Sequence, residues 1–398
     1  MHSDRHRYLP LDGLRALAIA AVFCFHYRVN PHSPGQWGWA GVDLFFVLSG
    51  YLITGILFDS LHSPGYFRNF YIRRALRIFP PYWAIWCLIG LLVLLVPQGH
   101  PDPWYLAWPL YLGNYVDLHA LHASLPHGHY NIPAILHVLG EKFYIRVGPY
   151  WSLCVEEQYY LLWPLVVWLI RDRIRLIRVC AVGMLAILAL RIGLHFFMPA
   201  AWVKDNEVYF FTFTRADPLL AGALLALWAR GPRGLAAIRT NWVLTAGALS
   251  LAGMAESFAR WGLFHGEAFA AWMQTYGFTL LAVFMAAVLV AALRLTFFAR
   301  ALAFRPLVAL GQVSYGFYLF HLMLWDCDRI PVDATHSSLG HILMHCAAFA
   351  LIWGLAWLSY RYFESPFLRL KDRWTVRTNR PAIRVTAAAL HEQDAPAA

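Results

Sequence analysis

The chain has 398 residues, of which 60% are hydrophobic and only 14% are charged. Ordinary soluble domains carry about 25% charged residues, so this chain has too little charge to cover the surface of a soluble fold. Its formal net charge of +10 would suit a nucleic-acid-binding protein, but the basic residues lie in short clusters between apolar runs. The composition therefore predicts an integral membrane protein.

Ten apolar runs are long enough to cross a bilayer, for which a helix needs about 20 residues. They predict an all-α integral membrane protein with about ten transmembrane helices. A shorter aromatic run at 104–115 is expected to lie in the membrane interface, or to enter the membrane and return. The predicted spans lie near residues 10–29, 39–59, 78–97, 150–170, 176–197, 211–229, 239–258, 269–293, 307–325 and 339–360.

The arginines predict the orientation of these spans, because cytoplasmic loops of membrane proteins are enriched in lysine and arginine. Arginine clusters follow the second, fourth, sixth, eighth and tenth spans. Placing all of them inside puts both termini in the cytoplasm and explains the positive charge without a nucleic-acid partner. The chain is thus predicted to be a multi-pass protein of the cytoplasmic (inner) membrane, surrounded by membrane lipid. The sequence does not indicate an oligomeric state.

One transmembrane domain is predicted over residues 1–368, followed by a polar tail, 369–398, that is expected to be disordered. The outer segment 116–149 is rich in histidine, glycine and proline, and a loop of this length is usually functional or mobile. Its histidines lack the cysteines or the helical spacing of a metal site, so no metal is predicted. These histidines are His119, His122, His127, His129 and His137.

Ionisable residues inside a span cost about 2.5–3.5 kcal/mol each on insertion scales, so each of them calls for a reason. In the first span, Arg15 and His26 are eleven residues apart, which is three helical turns and nearly the same face. Asp12 precedes Arg15 by three residues, so these two side chains are expected to pair near the inner surface. This face is predicted to present a cation near the cytoplasm and an imidazole near the outer side.

Residues of five different spans fall at one depth in the outer part of the predicted membrane. This predicts a shared polar cavity, although any one of them could instead tie two helices together. Arg215 is also expected to form a local ion pair with Asp217 at the start of a helix, and His321 alone is typical of a histidine buried in a core. The five residues are His26, Asp43, Glu156, Arg215 and His321.

His26 is the candidate catalytic residue, because an imidazole with a carboxylate at matching depth is the arrangement of a general base. Glu156 or Asp43 is predicted to be that carboxylate. In the fourth span, Ser152 and Glu156 are four residues apart and share one face. Glu157 is rotated from that face by about 100° and is expected to point elsewhere.

Three arginines, Arg73, Arg74 and Arg77, stand at the cytoplasmic end of the third span. Arg74 and Arg77 are one turn apart and point the same way, as a clamp for phosphate groups would. Juxtamembrane arginines also mark topology or bind anionic lipid, so the spacing alone leaves these interpretations open.

Six stretches of the chain resemble the membrane acyltransferase family 3, the O-acyltransferases of bacterial surface polysaccharides, nodulation factors and macrolides. The family's R-x-x-R motif falls on Arg74 and Arg77, and its R-x10-H motif begins at Arg15 and ends at His26. The acidic position of its S-L-x-V-E-x-Q motif falls on Glu156. Members often carry a C-terminal extracytoplasmic hydrolase-like domain, whereas this chain is expected to be of the stand-alone type. The stretches are LDGLRALAIAAVFCFH, in which an alanine stands where many members have glycine, GWAGVDLFFVLSGYLIT, FYIRRALRIFPPYW, WSLCVEEQYYLLWPL, SYGFYLFHL and RYFESPF.

The resemblance implies a ten-helix core, cytoplasmic acyl-CoA (acetyl-CoA by default) as co-substrate and no tightly bound cofactor. The acceptor would be a hydroxyl group of a carbohydrate or glycolipid. On this scheme His26 is the general base, and Glu156 or Asp43 orients its imidazole. An acyl-enzyme intermediate on histidine, Ser49 or Ser152 is the stepwise alternative. The implied phosphate ligands are Arg15, Arg73, Arg74 and Arg77, and the candidates for contacts with the substrate or the oxyanion are Ser152, Arg215, His321 and Asp12.

Two other classes of function fit part of the pattern. Buried acidic residues, histidines and arginines also build the relays of a proton-coupled transporter. Such transporters commonly contain inverted repeats, and we see no repeat in this sequence. A non-catalytic scaffold would keep its function when His26 is replaced.

Overall fold

The computed structural model describes nine segments, and helices dominate them. Within these segments, seven helices are long and apolar enough to cross a membrane, which confirms a multi-pass helical membrane protein. The count of ten spans and the cytoplasmic position of both termini stay predictions. The described segments are residues 8–27, 34–95, 106–115, 131–138, 141–146, 148–197, 207–265, 268–321 and 338–376.

The described α-helices are numbered in chain order. They are α1 Leu9–His26, α2 Gly41–Ser60, α3 Tyr66–Leu95, α4 Trp151–Ile170, α5 Arg173–Phe197, α6 Glu207–Phe210, α7 Thr212–Arg215, α8 Asp217–Trp228, α9 Thr240–Trp261, α10 Phe278–Arg294, α11 Thr296–Leu302, α12 Arg305–Gln312, α13 Ser314–Phe320, α14 Ser338–Leu358 and α15 Ser365–Trp374. π-helical turns, Met273–Gly277 and Ser359–Glu364, precede α10 and α15.

Seven predicted spans coincide with the seven long apolar helices, and the other three differ in form. The predicted span 78–97 is the second half of α3, which is 30 residues long and carries the arginine motif as part of the same helix. The predicted span 211–229 is divided into α7 and α8, because Pro218 lies in the first turn of α8, a position that favours a helix start. The predicted span 307–325 is divided at Val313 into α12 and α13.

Two short antiparallel strand pairs add to the helices, so the fold is mainly rather than wholly α-helical. Strands β1 (Asn131–Val138) and β2 (Glu141–Arg146) form a hairpin inside the segment predicted to be an outer loop. Strands β3 (Phe264–His265) and β4 (Ala268–Phe269) lie before α10. Of the five loop histidines, four lie outside the described residues, and His137 pairs with Lys142 in the hairpin register.

The aromatic segment is a compact turn over its described part, residues 106–115, and hydrogen bonds hold it against α3 and α4. The Tyr82 hydroxyl donates to the Trp108 carbonyl at 2.6 Å, and Gln158 Nε2 donates to the Tyr111 carbonyl at 2.8 Å. A Cβ atom on Gly113 would lie 2.1 Å from the Trp108 ring. Only glycine therefore allows this turn to close over the buried indole.

Glycines let the central helices approach closely, as small residues do in membrane proteins. Where α2 crosses α8, a Cβ on Gly50 would lie 1.9 Å from the Leu219 carbonyl oxygen, and a Cβ on Gly222 would lie 2.0 Å from that of Val47. The contact is thus reciprocal, with the backbones of the two helices nearly touching. This crossing fixes the position of α2, which carries residues of the site described below.

Replacing Gly222 by alanine is expected to lower the melting temperature of the purified protein, because its new Cβ would press on the backbone of α2. Overpacking of this kind typically costs about 1–3 kcal/mol. The matched control is Gly193→Ala on α5, where no described atom lies within 4 Å of the Cβ position. Alanine is favoured over glycine in helices by about 1 kcal/mol, so the control should melt at or above the wild-type temperature. Equal melting of both variants would contradict the close crossing.

The C-terminal helix α15 packs against α3. Just beyond α15, Asn69 of α3 binds the backbone of Val376 at both polar groups, with Nδ2 donating to the carbonyl at 3.1 Å and Oδ1 accepting from the amide at 2.8 Å. The predicted domain boundary at residue 369 lies within α15, and the division into a domain and a tail stays a prediction. The rest of the predicted tail, residues 377–398, lies outside the described residues.

Candidate active site

A cavity of about 110 Å³ lies among α1, α2, α3, α4 and α13, and both polar and apolar side chains line it. It brings arginines from the predicted cytoplasmic side together with the polar face of α4. The polar lining residues are Arg15, Ser49, Arg74, Arg77, Ser152, Glu156, Glu157, Tyr160, Ser314, Tyr315 and Tyr318, and the apolar ones are Val42, Phe45, Phe46, Ile78 and Leu153.

The spacing of residues within a helix explains most of this lining. Ser152, Glu156 and Tyr160 recur every four residues along α4 and all face the cavity, as residues on one helix face do. The prediction that Glu157 points elsewhere is wrong, since Glu157 also lines the cavity. Five helices surround this space, so side chains on more than one face of α4 can line it.

Glu156 is held inside the cavity by hydroxyl groups. Ser49 Oγ donates to Glu156 Oε1 at 2.6 Å, and the Tyr160 hydroxyl donates to Ser49 Oγ at 2.9 Å. The guanidinium of Arg74 lies 5.7 Å from the centre of the Tyr160 ring, within the range of a cation–π contact. Asp12 is buried and accepts from Arg15 at 3.1 Å, which is the pairing predicted from their spacing.

His26 and His321 form a pair, and neither residue lines this cavity. His321 Nε2 lies 3.3 Å from His26 Nδ1, and His321 Nδ1 lies 2.5 Å from the Tyr318 carbonyl oxygen. Tyr318 belongs to the cavity wall, and its hydroxyl is hydrogen-bonded to Ser152 Oγ at 2.6 Å. Tyr318 therefore links the histidine pair to the wall of the cavity.

The other predicted outer charges form buried ion pairs. Arg215 donates to both carboxylate oxygens of Asp43, at 2.9 and 3.0 Å, and Arg191 donates to Asp217 at 2.9 Å. All four side chains are fully buried. The predicted local pair between Arg215 and Asp217 is wrong, because the two residues belong to different helices, α7 and α8, and bind partners on α2 and α5.

Arg191 is a buried charge that our sequence analysis missed. It also donates to the carbonyl oxygens of Thr214 at 2.6 Å and Thr275 at 2.9 Å, and to the Thr279 hydroxyl. The available signal was the position of Arg191 deep inside the apolar run 176–197, since an arginine at such a position needs a partner. Its contacts join α5 to the starts of α8 and α10.

The structure thus distributes the predicted site residues over three places. Among the five that were predicted to share one polar layer, Glu156 lines the cavity, Asp43 binds Arg215, and His26 contacts His321. Within the described residues, no group of three or more His, Cys, Asp or Glu side chains could hold a metal ion. The cavity residues among the predicted set are Arg15, Arg74, Arg77, Ser152 and Glu156, whereas Arg73 is exposed on α3.

The chain is similar to known O-acetyltransferases. It is 29% identical to the peptidoglycan O-acetyltransferase OatA of Listeria monocytogenes, over 90% of this chain and 56% of that protein. The same identity holds for the putative peptidoglycan O-acetyltransferase YrhL of Bacillus subtilis, over 92% and 55%, and for the O-acetyltransferase OatA of Staphylococcus aureus, over 90% and 57%. The chain therefore spans a little over half the length of these relatives.

No solved structure matches the chain. The family model that describes the acyltransferase domain matches residues 9–361. This match includes every helix around the cavity, the arginines and glutamates that line it, and both members of the histidine pair. The chain therefore belongs to the acyltransferase family that this domain defines.

Proposed function

We propose that the chain is a membrane O-acyltransferase that moves an acetyl group from cytoplasmic acetyl-CoA to a hydroxyl group of a cell-envelope polysaccharide. The supporting observation is a cavity lined by three arginines and two glutamates, with a histidine pair hydrogen-bonded to its wall residue Tyr318, in a member of an acyltransferase family. The relatives that are named for peptidoglycan make this polymer the first acceptor to test. The enzyme would sit in the inner membrane with ten spans and both termini in the cytoplasm, and would need no tightly bound cofactor.

The arginines of the cavity are proposed to bind the donor. Arg74 and Arg77 follow one another on α3 at one helical turn, and guanidinium groups form strong, charge-assisted hydrogen bonds with phosphates. A space of about 110 Å³ has room for a few water molecules, so it suits the acyl thioester end of the donor rather than the whole molecule. The phosphates would then lie on the cytoplasmic side of this space, at its arginines.

Arg74→Ala is expected to raise the KM for acetyl-CoA by about ten- to a hundredfold, the effect of losing a hydrogen bond between charged groups. Arg74→Lys keeps the positive charge and should lose less. Arg73→Ala is the matched control, because Arg73 is exposed on the same turn of α3. Steady-state kinetics with purified protein in lipid nanodiscs give the three values. If Arg73→Ala and Arg74→Ala raised the KM for acetyl-CoA equally, the proposal that the cavity binds the donor would be wrong.

His26 is proposed to act as general base in the transfer itself. Its imidazole takes the proton of the acceptor hydroxyl, and the acceptor oxygen forms a bond to the carbonyl carbon of the thioester. The carbon–sulfur bond breaks, and CoA leaves as the thiolate, which then takes up a proton. Asp43 binds Arg215, so in this scheme Asp43 is the counter-ion of Arg215 and does not orient the His26 imidazole. The stepwise alternative would use Ser49 as the acyl carrier, because its hydroxyl donates to Glu156.

The function is tested with carbon-13-labelled acetyl-CoA, purified protein in lipid nanodiscs and soluble peptidoglycan fragments as the acceptor, followed by mass spectrometry. Labelled acetyl esters on the fragments are the expected result. Label on the intact protein would favour the stepwise route. If no label is transferred and acetyl-CoA shows no saturable binding, the proposal is contradicted. A proton-coupled transporter would then be the better explanation.

A further inference from the structure

We propose that His321 is a positioning residue for His26: together with the Val22 carbonyl oxygen it accepts the Nδ1 hydrogen of His26, which leaves Nε2 as the nitrogen that takes the proton in the transfer. This inference rests on the proposed function and adds a residue to its mechanism. It replaces the carboxylate that the sequence predicted beside His26 with a second imidazole.

The hydrogen-bond partners of His321 determine its tautomer. Its Nδ1 lies 2.5 Å from the Tyr318 carbonyl oxygen, and a carbonyl oxygen can only accept, so Nδ1 carries the hydrogen. In a neutral imidazole the other nitrogen then holds the lone pair. Nε2 of His321 is therefore an acceptor, and it is the atom that lies 3.3 Å from His26.

The same reasoning shows which nitrogen of His26 can take a proton. Its Nδ1 faces two acceptors, the Val22 carbonyl oxygen at 3.0 Å and His321 Nε2 at 3.3 Å. Nδ1 must therefore carry the hydrogen, which places the lone pair of the neutral ring on Nε2. Once Nε2 has taken a proton, both acceptors also stabilise the positive ring, because hydrogen bonds from charged donors are stronger.

The surroundings of His321 hold it in place for this role. Its side chain is fully buried, and its backbone carbonyl accepts from the Tyr27 hydroxyl at 2.6 Å. Tyr27 follows His26 directly in the chain, so α1 and the end of α13 are tied together at two consecutive residues. Tyr318, which fixes the ring of His321, is itself fixed by Ser152 in the cavity wall. The triad of serine hydrolases uses a carboxylate for the same task of holding a catalytic imidazole in one tautomer.

Two substitutions of similar size separate this role from simple packing. In His321→Gln the side-chain oxygen can occupy the place of Nε2 and accept from His26, whereas His321→Met fills the space without a comparable acceptor. We expect His321→Met to lower kcat by about ten- to a hundredfold with the KM for acetyl-CoA unchanged. His321→Gln should restore most of that loss. If His321 were only a packing residue, the two variants would lose activity together, or neither would.

The assay is acetyl transfer in nanodiscs with wild type, both His321 variants and His26→Ala, each first shown to be monodisperse by size-exclusion chromatography. A second readout is the nitrogen-15 spectrum of histidine-labelled protein, in which the signals of His26 are identified by their absence in His26→Ala. We expect a hydrogen-bearing Nδ1 and a lone pair on Nε2 in wild type, and a shifted Nδ1 signal in His321→Met, where the Val22 carbonyl oxygen is the remaining acceptor of the two. Two results with an active wild type would overturn this inference alone. One is full activity of His321→Met, and the other is a hydrogen on Nε2 of His26 in the nitrogen-15 spectrum. An inactive wild type would overturn the proposed function and this inference with it.

Discussion

Replacing His26 by alanine is expected to reduce acetyl transfer by about 10²–10⁴-fold, which is the contribution of a positioned general base. The imidazole lies at the end of α1, and the cavity wall residue Tyr318 reaches it through His321. The measurement is mass spectrometry of cell-wall fragments from cells that express wild type or His26→Ala at equal level, where each acetyl ester adds about 42 Da.

A control for this result is His195→Gln, which changes a partly buried histidine near the end of α5. It should leave transfer at the wild-type level, so that a loss of activity in His26→Ala reports the site and not the removal of any membrane histidine. If His26→Ala acetylates fragments as well as wild type does, while cells without the gene do not, His26 is structural and the proposed mechanism is wrong.

Breaking the buried pair of Asp43 and Arg215 is expected to give the largest loss of stability. Removing one partner of a buried ion pair typically costs about 3–5 kcal/mol, because the remaining charge is left without compensation. Arg215→Leu would leave Asp43 fully buried without its guanidinium partner and remove a cation that lies 4.1 Å from the centre of the Phe278 ring. We expect little monodisperse protein and a much lower melting temperature in detergent.

Two further variants show whether the loss comes from the unpaired charge. The double variant Asp43→Asn with Arg215→Leu removes both charges and should be more stable than Arg215→Leu alone. Arg260→Ala removes an exposed arginine that pairs with Glu256 one helical turn away, and exposed pairs contribute little. If Arg215→Leu melts at the same temperature as Arg260→Ala, the pair is not needed for the fold, and Arg215 becomes available as the oxyanion contact that the sequence suggested.

Much of the architecture follows from local features of the chain. The length of its apolar runs determines that it is a helical membrane protein, since only helices and closed barrels satisfy the backbone inside a bilayer. Four-residue spacing placed Ser152 and Glu156 on one face, and three-residue spacing paired Asp12 with Arg15. These predictions were correct because they depend on the geometry of a single helix, which is the same in every protein.

The partners across helices were decided by the tertiary structure alone. The sequence placed His26, Asp43 and Arg215 at one depth, but depth does not say which neighbour each side chain meets. For Asp43 and Arg215 that depends on how closely α2 and α8 cross at Gly50 and Gly222, and on the break before Asp217 that separates two residues predicted to pair. His26 lies against His321 at the end of α13, and Asp43 lies against Arg215. The sequence could not show these partners, because contacts between helices follow crossing geometry and local breaks, which no spacing within one helix contains.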